Sequence, residues 1–259
     1  MPGNNQQRVV ITERDGLLLK ELGVARIVDR EQAKEIAGFQ STTRANDRLL
    51  KLTNSGLLKR FFLGTRAGGT KALYSLSRKG AAVVDVPGRL VRRRQDSLLV
   101  GDQFVEHQLS INSIWIQAKF RPIPSFDIQF VRWLTFQSPL SLKTPLIPDG
   151  YFELKSPSGT HAMFLEVDRG SESLKVWTRK VSLYLQLAAS GEFQELFKTP
   201  RFRVLVAVSS ERRLETIRRT VRQQTEKIFW FSTLDTINRD GLFAPIWLRP
   251  EGAERQSLL

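Results

Sequence analysis

The stretch "RFRVLVAVS" at 201–209 constrains the fold of this chain most. Beyond Arg203 it is a continuous apolar run rich in β-branched side chains. Such a run cannot face water on either side, so it reads as a central strand covered on both faces. Patterns at helical spacing lie on either side, "SESLKVWTRKVSLYLQLAAS" before it, with Ser171 as its expected cap, and "SERRLETIRRTVRQQTE" after it. Alternation over 126–136 ("FDIQFVRWLTF") predicts a strand. Two more follow in "LIPDGYFEL" and "HAMFLEVD", separated by the turn "KSPSGT", and "KIFWFSTL" is the last. Residues 98–120 repeat as a helix, with Phe104, Leu109, Ile111 and Trp115 suggesting its buried face. Helix, three strands, helix, strand, helix, strand is an α/β order: one mixed sheet flanked by helices, within a chain that is α+β overall.

Three acids interrupt this apolar pattern. Asp149 follows Pro148 at the start of one strand, and Glu166 and Asp168 stand near the end of the next, with Glu166 17 residues beyond Asp149. Carboxylates in apolar strands are costly unless a cation, a metal or a partner chain compensates them. Alternation places Glu166 and Asp168 on one face and Val167 on the other. If all three converge, their hard oxygens suit Mg²⁺ or Mn²⁺. Such an ion could position a water and stabilise phosphate charge during phosphodiester hydrolysis. The alternative is a set of structural ion pairs with Arg169, Arg179 or Lys180. His107 either orients a water or is satisfied in helix packing.

The first hundred residues follow a different plan. "TERDGLLLKELGVARI" (12–27) opens with a Thr cap and places Leu17, Leu18 and Leu22 on an apolar face. "REQAKEIAG" (30–38) is a short helix with Ala33, Ile36 and Ala37 inward and Gly38 as its stop. A third helix, 41–53, is capped by Ser41 and buries Ala45, Leu49 and Leu52, leaving Thr43, Arg44, Asp47, Arg48 and Lys51 outside. "LLKRFFLG" and "KALYSLS", joined by "TRAGG", read as a hairpin. Charge follows the same division. Residues 1–97 hold 19 Lys/Arg against 9 Asp/Glu, whereas the remainder holds 21 against 17, within a net +14. A basic first third favours a polyanion, nucleic acid above all. "VPGRLVRRRQDS" (86–97), with Arg92, Arg93 and Arg94, reads as a linker or a phosphate-facing edge. The domains are therefore placed at 1–90 and 91–259.

Several classes fall away. No cysteine is present, which excludes disulfides and thiolate metal sites and is compatible with a reducing cytoplasm. No apolar run approaches the roughly 20 residues a membrane helix needs, and "MPGNNQQRVV" lacks the layout of a secretory signal. A Walker loop, a dinucleotide glycine fingerprint, HExxH and GxSxG are all missing.

"RLLKLTNSGLLKR…GGTKALYSLSRKG" resembles the winged helix-turn-helix class of DNA-binding modules. The resemblance implies that the 41–53 helix enters the major groove of double-stranded DNA, with Thr43, Arg44, Arg48 and Lys51 facing it. Arg66 and Lys71 on the wing would meet phosphate or the minor groove. The later order resembles the restriction-endonuclease-like fold, in which a "PD" acid and an acid on the next strand hold a divalent metal. Pro148-Asp149 and Glu166 match that pattern, and Glu106 is placed like the extra acid of some members. Asp168 departs from it by standing where a lysine belongs, so Lys175 or Lys180, with Lys180 preferred, would have to reach back from the following helix.

Taken together, the two halves with "EHQLSIN", "IPDGYFEL" and "FLEVDRGSES" resemble the replication-relaxation family of plasmid and mobile-element proteins. That likeness implies a DNA-associated role in replication, mobilisation or transcription regulation, at the nucleoid or a plasmid, alongside replication or mobilisation proteins. Two readings stay open: a DNA-binding regulator with a non-catalytic nuclease-like core, or a Mg²⁺- or Mn²⁺-dependent DNA endonuclease using Asp149, Glu166, Asp168 and Lys180. A homodimer would suit repeated half-sites, though no heptad marks its seam.

Overall fold

The computed structural model describes residues 9–64, 68–86 and 102–259. Its elements fall into two units, Met1–Ile116 and Gln117–Leu259. The division expected at 90/91 lies among residues outside the described set, and helix 102–120 is grouped up to Ile116 with the first unit.

In the first unit, α1 (Glu13–Ala25) starts with a capping box: Thr12 accepts from the Asp15 amide, and the Asp15 carboxylate accepts from the Thr12 amide. Leu18, Leu22 and Ala25 repeat at i, i+4 and i+7 and are buried, with Leu19 beside them. Leu17, expected on that face, falls off the stripe and is 40% exposed. After β1 (Val28–Asp29), α2 (Arg30–Ala37) is capped by Asp29 and ends at Gly38, whose φ of 66° is the left-handed turn that glycine permits. α3 (Thr42–Asn54) is capped by Ser41 and buries Ala45, Leu49 and Leu52, as their spacing predicts.

β2 (Leu58–Gly64) and β3 (Thr70–Leu76) form the hairpin, and β1 adds to β3, giving the antiparallel order β1-β3-β2. Ile27 and Leu73 pack with Val105, and Phe61, Leu63 and Leu109 close over them. The first half of α5 (Asp102–Phe120) therefore belongs to this core. Buried Asn112 fixes it there by donating to the carbonyls of Ala25 (3.1 Å) and Ile27 (2.6 Å).

α4 (Arg78–Val83) presses its first turn on the strand start so tightly that a Cβ on Gly80 would lie 2.1 Å from the Leu57 carbonyl oxygen. Main chain cannot step aside as a side chain does. Gly80→Ala is expected to cost about 3 kcal/mol or more, read as a lower melting temperature with the C-terminal unit's transition unchanged.

The second unit is one seven-stranded sheet in the order β10-β9-β8-β7-β6-β5-β4. β4 (Gln129–Leu134), β5 (Gly150–Ser156) and β6 (Gly159–Asp168) form an antiparallel meander. From β6 the chain crosses through α6 (Leu174–Ala189) and α7 (Glu192–Phe197) to β7 (Phe202–Val208), parallel to β6. It crosses again through α8 (Glu211–Arg222) to β8 (Phe229–Thr233), parallel to β7. α9 (Leu234–Asp240), β9 (Trp247–Leu248) and β10 (Arg255–Gln256) complete the unit.

Two successive crossovers of one hand, stepping in one direction, lay α6 and α8 on the same face of the sheet. Between them and the strands lies an aromatic core of Tyr151, Phe164, Tyr184, Phe193, Phe202 and Phe229. Its rings meet tilted or edge-on, as Phe164 and Phe202 do at 86° and 5.1 Å. β7 is buried along almost its whole length, as its unbroken apolar run requires. The cap of α6 is Ser173, two residues beyond the expected Ser171.

Candidate functional site

Glu166 and Asp168 are each 1% exposed, at the end of β6 and beneath the first turns of α6 and α8. Each has its own compensation. Trp177, Lys180 and Tyr184 recur at i, i+3 and i+7 on α6 and so descend on one face toward the strand. Lys180 Nζ donates to Glu166 at 2.7 Å and to Glu172 at 2.7 Å, and the Tyr184 hydroxyl donates to the other Glu166 oxygen at 2.6 Å. Asp168 is held by a two-pronged contact from Arg213 on α8, Nε at 3.0 Å and Nη2 at 2.6 Å. It also accepts from Trp177 Nε1 at 2.7 Å and from the Gly170 amide at 2.6 Å. Asp149 sits just before β5 and accepts from the Val167 amide at 2.7 Å, which closes the end of the β5–β6 ladder.

The electrostatics separate the two buried acids. Complete burial, with Asp149's charge adding to it, pushes Glu166 up to about 7 against the opposing pull of Lys180. Burial works against the Lys180 ammonium too, but Glu166 and Glu172 outweigh it and hold its pKa above the ordinary value. Both directions follow from one ammonium shared by Glu166 and Glu172, with Asp149 adding a like charge near Glu166, so that buried carboxylate takes a proton readily. Burial would also raise Asp168, but the hydrogen bonds from Arg213, Trp177 and Gly170 prevail and leave it below the usual carboxylate range.

The donor set decides whether a divalent cation fits. Mg²⁺ and Mn²⁺ want several free hard oxygens. Here both Glu166 oxygens accept protons from an ammonium and a phenol, and both Asp168 oxygens accept from N–H groups. Among the described residues no group of three or more His, Asp or Glu side chains is gathered so that it could hold a metal. Asp149, Glu166 and Asp168 share one end of β6 yet are committed to separate partners, so they do not form the expected three-oxygen pocket. Glu106 lies on the stretch of α5 that belongs to the first unit. The ion-pair alternative is closer to what forms, with Lys180 on Glu166 as one expected partner and Arg213, which the spacing did not suggest, on Asp168.

On the first unit, Thr43, Arg44 and Lys51 are exposed on α3 as expected. Arg48 is different. It donates to Asp15 of α1 (Nε to Oδ1, 2.8 Å) and to the Val10 carbonyl, so it staples α1 to α3 instead of standing free on the outer face. Burial tends to raise the Asp15 carboxyl, but Arg48 and Thr12 outweigh it and bring it below its ordinary value. Lys71 reaches Asp29 at 3.0 Å, joining β3 to the cap of α2. Arg66, Arg92, Arg93 and Arg94 lie outside the described residues. Arg60, stacked 5.1 Å over the exposed Phe62 ring, adds a cation on the hairpin that the pattern did not single out.

No described helix is long and apolar enough to cross a membrane. No curated protein and no solved structure matches the chain. One family model does, described as replication-relaxation, and it aligns with residues 19–199, from α1 through the acid-bearing strands to the end of α7. With that much of both units matched, the chain belongs to the replication-relaxation family.

Proposed function

We propose that this protein binds double-stranded DNA of a mobile element in a replication-related role, through a winged helix-turn-helix, and that its C-terminal unit is a restriction-endonuclease-like sheet without metal-dependent chemistry. The observation that carries the DNA reading is α3. It follows α2 after a four-residue turn, buries one stripe, and turns Thr43, Arg44 and Lys51 to solvent beside a basic hairpin. Cationic side chains on such a helix neutralise phosphates and release counterions, so binding is salt-sensitive. The meander β4-β5-β6 followed by parallel β7 supports the endonuclease-like reading of the sheet. The non-catalytic reading rests on oxygens already committed to Lys180, Tyr184, Arg213 and Trp177.

The test is duplex binding by fluorescence anisotropy across salt concentrations, with plasmid cleavage in Mg²⁺ and Mn²⁺ run in parallel. Arg44→Ala with Lys51→Ala is expected to weaken binding at least tenfold and to reduce the salt slope by about two. Arg48→Ala should act chiefly by lowering the melting temperature of the first unit. An unchanged salt slope in the folded Arg44/Lys51 variant would remove the DNA reading. Cleavage that disappears in Asp149→Ala would instead establish the nuclease reading, for which the Glu166–Lys180 contact is the favouring observation.

A further inference from the structure

A second set of charged residues lies on the face of the sheet opposite the acids. β7 alternates, with Phe202, Val204, Val206 and Val208 in the core under α6 and α8, so Arg203 points to the opposite face at the strand's start. Leu205 pairs with Trp230 on β8, and Phe231 pairs with Leu248 on β9, which sets Arg249 beside Trp230. Three neighbouring strands thus present Arg203, Trp230 and Arg249 in a row. The Arg203 guanidinium lies 4.8 Å and the Arg249 guanidinium 4.6 Å from the Trp230 ring centre.

This row has more donors than acceptors. Neither arginine has a carboxylate partner among the described residues. Arg203 donates to the Leu258 carbonyl, and Arg249 to the Glu226 carbonyl. The indole N–H of Trp230, at the edge of the ring that both cations cover, has no hydrogen-bond partner among the described residues, and the residue is 8% exposed. His161 stands on the neighbouring strand, where burial and the charge of Arg203 hold its pKa down, so at neutral pH it adds no charge. Burial, and for Arg203 the repulsion from Arg249, lowers the pKa of both guanidinium groups. Glu226, whose carbonyl Arg249 meets, and Glu251 are exposed, and their side chains are hydrogen-bonded to each other. Stacking on an indole compensates a cation only in part. Two forked donors flanking one indole can each meet phosphate oxygens.

We propose that Arg203, Trp230 and Arg249 form an oxyanion site on the C-terminal unit that takes backbone phosphates of duplex DNA. It deepens the DNA-binding reading by giving the nuclease-like sheet its own hold on the duplex, on the face away from Glu166 and Asp168. The phosphate source is committed to nucleic acid because the binding partner already inferred for the chain is DNA; free phosphate is the other source of the same chemistry.

Two measurements on the full chain test it. In the first, Arg203→Gln with Arg249→Gln is expected to make the salt dependence of duplex affinity shallower by about two, at about 0.9 per phosphate contact. Arg203→Lys with Arg249→Lys, which keeps the charges, should retain most of the slope. If the double glutamine variant does not fold, Arg249→Gln alone should reduce the slope by about one. In the second, inorganic phosphate is titrated against tryptophan fluorescence. The wild type should respond and Trp230→Phe should not.

A folded glutamine variant with the wild-type slope overturns the proposal, and a phosphate response without a slope change overturns the nucleic-acid source. The phosphate titration does not depend on α3. Should the Arg44/Lys51 variant disprove the winged-helix reading while phosphate still quenches Trp230, the two failures are distinguishable.

Discussion

Arg213→Ala is expected to remove about 3–5 kcal/mol from the C-terminal unit, because it strands a carboxylate that is almost wholly out of water. Arg213 supplies two of the four donors on Asp168 and also donates to the Glu172 carbonyl at the entrance to α6. The loss would appear as a fall in the urea midpoint at constant slope. Tryptophan fluorescence suits the measurement, since four of the five tryptophans lie beyond residue 117. Two comparisons interpret the result. Arg212→Ala, next in sequence but exposed, should change the midpoint by no more than about 0.5 kcal/mol. Asp168→Leu combined with Arg213→Met should recover part of the loss by removing both charges. Recovery stays incomplete, because the Trp177 N–H then has no acceptor. If Arg213→Ala behaves like Arg212→Ala, the pair is not structural and the committed-oxygen reading of this site fails.

Lys180→Met is expected to act through pH. Glu166 has its folded pKa raised to about 7 from an ordinary 4.5. A group shifted upward in this way contributes stability that is complete below 4.5 and is lost as pH rises through 7. Removing Lys180 takes away the charge that opposes the shift, so the folded pKa climbs further and the loss extends to higher pH. At pH 5 the variant should lack the two hydrogen bonds to Glu166 and Glu172, about 1–2 kcal/mol. At pH 8 the loss should be greater by about 1.4 kcal/mol, because wild-type Glu166 has released its proton by one unit above about 7 while the variant still holds it. Melting curves at the two pH values measure the difference, and a pH-independent loss would contradict the assignment. Asp168 works the other way: its lowered pKa gives stability that is present above 3.8 and disappears as pH falls through its folded value.

Much of this could be read in the chain because local pattern and tertiary demand agree. The runs at 201–209, 150–156 and 159–168 are apolar where the sheet is covered, and Ser41 and Thr12 stand where helices begin. Lys180 was legible because the helix after β6 returns its side chains toward the strand's end, and Tyr184 follows four residues on, on the same face. Arg213 carries no such signal. It reaches Asp168 only through a crossover, a strand and a new helix, 45 residues on, and nothing near either residue distinguishes it from the arginines around it. Arg48 was misplaced for a related reason. Helical spacing shows which residues point away from a helix's own stripe, but not that a neighbouring helix brings an acid alongside.

The place where α5 divides matters to anyone dissecting this protein. Because Val105, Leu109 and Asn112 complete the packing around Ile27 and Leu73, a fragment cut at residue 90 would leave an uncovered apolar floor under the hairpin. The smallest self-sufficient N-terminal piece therefore reaches past the basic stretch at 86–97 and keeps the helix beyond it through Ile116.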